Sequence, residues 1–122
     1  MKHFFSLFLL ATVFLSNSDC TKKNNDRYKG RLEVAGICMN YTIKIVEGTI
    51  DTSKTEANWT DEVTQNQYTN VFRLGNPCDF PATIKQGDEF YFTIATSKDK
   101  ECAVCMAYYP TPVKALSIKV VQ

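Results

Sequence analysis

GRLEVAGICMNYTIKIVEG, residues 30–48, decides the fold, because two of its segments alternate with a period of two. In residues 30–35, Leu32 and Val34 share one face, while Arg31, Glu33 and Ala35 share the other. In residues 41–47, Tyr41, Ile43 and Ile45 oppose Thr42, Lys44 and Val46. A strand turns successive side chains to opposite faces. Alternation rich in β-branched and aromatic residues therefore predicts two strands, each wet on one side.

The same period returns downstream. Strand character spans residues 68–74, where Gly75, Asn76 and Pro77 end it. KQGD, residues 85–88, reads as a tight turn feeding residues 89–96, in which Phe90, Phe92 and Ile94 face one way and Tyr91, Thr93 and Ala95 the other. Residues 115–121 supply the last strand through Leu116, Ile118 and Val120. Pro110 and Pro112 bar a central strand just before it, and residues 105–109 are a candidate sixth strand. The polar stretch from Gly48 to Gln67 contains ANWTDEVTQNQ, read as a short helical turn with Trp59 plugging one end of the domain. The expectation is an all-β chain with little helix, a small antiparallel barrel or sandwich of five to six strands. An oligonucleotide-binding-type order is the first candidate topology.

The chain opens MKHFFSLFLLATVFLSNSDC, with Lys2 and His3 ahead of a largely apolar run from Phe4 to Leu15 and small polar residues up to Cys20. That run is shorter than the roughly 20 residues of a membrane span and reads as a cleaved secretion signal, residues 1–19. Cys20 stands where a signal peptidase leaves a lipid-bearing cysteine, and TKKNNDR after it reads as a polar tether. The arrangement resembles the lipobox of bacterial lipoproteins, with Asn17 and Asp19 where an aliphatic and a small residue are usual. Cleavage after Ser18 is the alternative, and it strands an odd cysteine in an oxidising compartment. The expected organisation is a signal over 1–19, a lipidated Cys20 and tether over 20–29, and one β domain over 30–122. The protein is then exported and held at the membrane of the cell envelope.

After the signal, thirteen basic residues face twelve acidic ones. A net charge near +1 lacks the basic face that nucleic acid demands. The only histidine is His3, inside the signal. Hydrolase triads and cysteine–histidine dyads need an imidazole to move a proton, so neither is expected. The adjacent pairs Asp61–Glu62 and Asp88–Glu89 point to opposite faces in a strand and read as solvated charge. No phosphate loop or calcium-loop spacing occurs, and no cofactor is expected.

Setting Cys20 aside leaves Cys38, Cys78, Cys102 and Cys105, an even number in a small exported domain, where disulfides are the default. Closing the CxxC ring of Cys102 and Cys105 would remove about 2 kcal/mol of unfolded-chain freedom, whereas a bridge from Cys38 to either removes roughly 4. In an extended segment, side chains three apart also point away from each other. Cys38 and Cys78 are therefore each expected to bond one member of the CxxC, the choice between the two pairings being open. A redox reading of Cys102 and Cys105 resembles thioredoxin-like proteins, which open a helix at that motif; here two prolines follow within a few residues. A four-cysteine zinc site would need two paired knuckles, and only one CxxC exists.

Two loops carry rigid, aromatic composition, LGNPCDFPAT over 74–83 and MAYYPTPVK over 106–114. They nominate Phe80, Tyr108 and Tyr109 as binding residues for an envelope protein or small ligand. With its signal, Cys20, GICMNYTIKIVEG and CAVCMAYYPTP in view, the chain resembles small envelope lipoproteins of bacteria whose function is unknown. That likeness implies anchoring, a compact disulfide-bonded β domain, and no catalytic residues. The expected function is a non-enzymatic structural or binding module. The alternatives are an inhibitor of an envelope hydrolase, similar to the lipoprotein inhibitors of lysozyme but without their Ser-Gly dipeptide, and a thiol-disulfide oxidoreductase using Cys102 and Cys105.

Overall fold

The computed structural model describes residues 26–96 and 100–122. The signal segment and Cys20 lie outside the described residues. Seven strands form one sheet: β1 Arg27–Ala35, β2 Tyr41–Glu47, β3 Glu56–Thr60, β4 Gln67–Leu74, β5 Glu89–Ile94, β6 Ala115–Leu116 and β7 Ile118–Val121. No described helix is long and apolar enough to cross a membrane. The strand order is β3-β4-β2-β1-β5-β7, every neighbour antiparallel, and β6 pairs in parallel with β4.

The all-β, antiparallel class is as the alternation predicts. The count and the closure differ. β6 and β7 are separated at Ser117, and the parallel pairing to β4 covers only Arg73–Ala115 and Leu74–Leu116. The result is an open sheet, rolled until its last segment reaches back to β4, rather than a continuous barrel of five or six strands. Asn76 strengthens that return. Its buried amide donates to the Ile118 carbonyl at 2.7 Å and accepts from the Ile118 amide at 2.9 Å, so one side chain serves as a strand partner.

Three further expectations are corrected. Residues 105–109 are not a strand, because the segment is tied by cysteine and has no ladder partner. The polar stretch read as a helical turn turns only over residues 61–65, where the Gln65 amide donates to the Asp61 carbonyl at 2.8 Å; before that it contains β3, an edge strand that needs no apolar alternation since both faces meet water. Trp59 lies on that edge, stacked on Tyr68 with ring centroids 5.7 Å apart, and does not plug the domain. β1 begins at Arg27, ahead of the alternating segment. Arg27 places its guanidinium 4.0 Å over the Tyr91 ring, a cation–π contact, and Tyr28 packs on Phe92.

The inner face holds the core. Leu32, Ile43, Phe72 and Phe92 are fully buried in it, with Phe90, Leu116 and Ile118 beside them. Gly30 lets this core close, since a Cβ there would stand 3.0 Å from Phe92 and 3.2 Å from Ile43. β1 then carries a bulge: Leu32 pairs with Ile43, but Val34, not Glu33, pairs with Thr42. The extra residue moves Val34 to the outer face, beside Thr42. Val71, on the same outer side of β4, is fully buried too.

What covers that outer strip is the chain from Tyr109 to Lys114. The Tyr109 hydroxyl donates to Asp61 beyond β3, the Val113 amide to Glu56 on β3, and the Arg73 amide of β4 to the Lys114 carbonyl. Lys114 Nζ also donates to the Thr52 and Thr55 carbonyls at 3.1 Å. Pro112, in the middle of this strap, is fully buried.

Candidate functional site

The four cysteines of the domain form two bridges, Cys38–Cys105 and Cys78–Cys102. Cys102 and Cys105 thus bond to different parts of the sheet and not to each other. Their Cα atoms lie 5.0 and 5.6 Å from those of their partners, ordinary separations for a disulfide. Cys38 sits in the turn after β1, and Cys78 in the turn after β4.

The turn after β1 is held in a costly shape. Cys38 and Met39 have φ of 56° and 58°, the left-handed region that costs a side chain about 1–2 kcal/mol per residue. Hydrogen bonds fix it. The Gly36 amide donates to the Asn40 carbonyl, and the Asn40 amide and side chain both donate to the Ile37 carbonyl. Asn40 Nδ2 also donates to the Ala107 carbonyl at 3.0 Å, the one described hydrogen bond that joins this turn to the second loop.

The disulfide joins two similar triplets, Ile37-Cys38-Met39 and Val104-Cys105-Met106. Their apolar side chains point to water: Ile37 is 58 % exposed, Met39 40 %, Val104 41 % and Met106 95 %. Tyr108, 79 % exposed, extends the group. Large apolar side chains are usually scattered singly over a protein surface, so a group of them around one bridge stands out as an apolar patch. A groove of about 640 Å³ runs beside it, between residues 104–108 and the end of β4 at Arg73, Leu74 and Gly75. Among the described residues, Arg73 is the only charged one lining that groove.

Of the three aromatic residues singled out in the sequence, Tyr108 alone is presented to water in this way. Phe80 belongs with the core, edge-on to Tyr41 and Phe90 at 5.8 and 5.4 Å. Tyr109 anchors the strap. Its hydroxyl lies 2.9 Å from Asp61 Oδ2, and its ring lies where a Cβ on Gly36 would come within 2.8 Å. Asp61 is 1 % exposed, and its other oxygen accepts the Val63 amide at 2.8 Å. The hydrogen bond to this carboxylate, followed by burial, raises the Tyr109 pKa above the ordinary phenol value of 10.0.

Ile37, Met39, Val104, Met106 and Arg73 escaped the sequence reading because single apolar residues beside a cysteine look like core. One signal could have found them: Cys38 and Cys105 are each followed by Met and preceded by a branched aliphatic residue. Any bridge between the two must gather four apolar side chains at one place. Among the described residues, no group of three or more metal-ligating side chains occurs, and both thiol pairs are consumed in disulfides. No protein-family model, curated protein or solved structure matches the chain.

Proposed function

We propose that this chain is a non-enzymatic binding module, exported and held at the cell envelope by a lipid on Cys20, which docks a partner through the apolar rim of the Cys38–Cys105 bridge. The exposed cluster of Ile37, Met39, Val104, Met106 and Tyr108 carries the reading. Among the described residues, those lining its groove include no carboxylate or histidine to move a proton.

Placement supports the anchored arrangement. β1 spans nine residues, about 30 Å at roughly 3.3 Å per residue. The chain from Cys20 joins β1 at its Arg27 end, and the apolar rim begins just past its Ala35 end, so anchor and rim attach at opposite ends of this strand.

Two measurements test this. Cys20→Ser is expected to move the protein from the membrane fraction to the soluble one; retention in the membrane fraction would count against the lipid. Met106→Ser combined with Tyr108→Ser is expected to abolish crosslinking to any partner that the parent captures in envelope extracts, with the melting temperature kept. Equal crosslinking by the variant and the parent would remove the rim from the reading.

A further inference from the structure

We infer that the occupant of this groove is an extended polypeptide segment in which large apolar side chains stand next to a carboxylate, and that Arg73 receives the carboxylate. The inference rests on the docking role proposed above and names its partner's chemistry.

Charge is the first argument. Among the described residues, the lining of the groove is apolar or uncharged except for Arg73. Arg73 is exposed, and among the described residues its guanidinium has no side-chain partner. Its counterparts on the sheet are engaged: Arg31 binds Glu33 and Glu89, and Arg27 covers Tyr91. A free guanidinium is a planar fork of donors that matches a carboxylate in two parallel hydrogen bonds. Beside it the apolar rim offers contact area but no counter-charge. An occupant complementary to both must itself combine apolar bulk with one negative group.

Shape decides between a small amphiphile and a polymer. A small ligand is held by a site that encloses most of its surface. Here Met106 and Tyr108 remain 95 % and 79 % exposed, so the rim is a ledge beside an open groove. A segment lying along it can use several shallow contacts at once. A peptide also needs no deep pocket, because two or three anchoring side chains supply most of its affinity.

The test is a random nonapeptide library displayed on phage and selected on the full chain, on Arg73→Gln, and on the Met106→Ser, Tyr108→Ser protein. Peptides joining two or more large apolar residues to an Asp or Glu are expected to be enriched on the parent. Arg73→Gln should lose the acidic preference, keep the apolar one, and bind the consensus peptide about tenfold or more weakly, as losing a hydrogen bond to a charged group implies. Replacing that acid by its amide should cost the parent a similar factor and Arg73→Gln nothing. Peptides selected without an acid, or acids retained on Arg73→Gln, would overturn this inference while leaving the rim as a docking surface. Selection of the same peptides on the Met106→Ser, Tyr108→Ser protein, or on none of the three, would overturn both. Decanoate displacing the consensus peptide at equal concentration would overturn the polypeptide in favour of an acyl chain. Matching melting curves for parent and Arg73→Gln exclude misfolding as the cause of any loss.

Discussion

Residues 100–108 and 109–114 follow each other in one connection between β5 and β6, yet they are held in opposite ways. The strap, 109–114, lies on the outer strip of the sheet through hydrogen bonds from Tyr109, Val113 and Lys114, with its own Pro112 fully buried. The loop before it has two bridges, contacts between Lys100 and Asp79, and one hydrogen bond to the Ala107 carbonyl. Covalent attachment through Cys102 and Cys105 lets the loop keep its place without burying its side chains. Packing would have fixed the same loop only by turning Val104, Met106 and Tyr108 inward.

Removing the bridges tests that contrast most severely. Cys38→Ser with Cys105→Ser should cost about 4 kcal/mol, and Cys78→Ser with Cys102→Ser about 3.5, because the first closes a longer loop. Urea titration reads both. A loss below about 1 kcal/mol, with residues 100–108 still resistant to protease, would mean that unrecognised packing holds the loop as it holds the strap.

The strap should fail through its buried acceptor. Asp61→Ala removes the partner of the Tyr109 hydroxyl and of the Val63 amide, at an expected cost of about 2–4 kcal/mol. The same hydrogen bond has a pH signature. Since the folded state raises the Tyr109 pKa, the stabilisation is full below the unfolded value of 10.0 and is lost as pH rises through the higher folded value. Alkaline unfolding should therefore be shallower in Tyr109→Phe than in the parent. Parallel curves above pH 10.0 would break the link between Tyr109 and the strap.

Smaller effects follow beneath and beyond the strap. The Thr42 hydroxyl is buried without a hydrogen-bond partner among the described residues. Thr42→Val should stabilise by about 1 kcal/mol, because an unpaired hydroxyl costs more dry than a methyl. Destabilisation in a thermal melt would show that water reaches the strip. Met106→Ser, on the loop, should change stability by less than about 0.5 kcal/mol. A larger loss would mean that the exposed methionine is packed in solution.

The strands with one apolar face were legible because burial on a single side imposes a period of two, as in Ile43, Ile45, Phe90 and Phe92. β3 was not, since Glu56, Asn58 and Thr60 sit on an edge where water satisfies either face. The bulge at Glu33 left no mark either, as Val34 continues the apolar alternation that the structure interrupts. At the site, the outward expectation for Tyr108 came from composition, while the latch role of Tyr109 depends on Asp61, a carboxylate 48 positions away in a polar stretch. The rim depends on which cysteines pair, and pairing is a property of the folded backbone.

The bridge from Cys38 to Cys105 also sets a route for mechanical load. Cys38 follows β1 by three residues, and β1 is bonded on one flank to β2 and on the other to β5. A pull between the Arg27 end and a partner gripping residues 104–108 travels along β1 and crosses to the loop through sulfur. The 66 residues enclosed between the two cysteines cannot be drawn out by that pull. To yield, β1 must shear past both neighbours at once, so tension on an anchored, occupied domain loads its most extensively paired strand and leaves the long remainder of the chain slack.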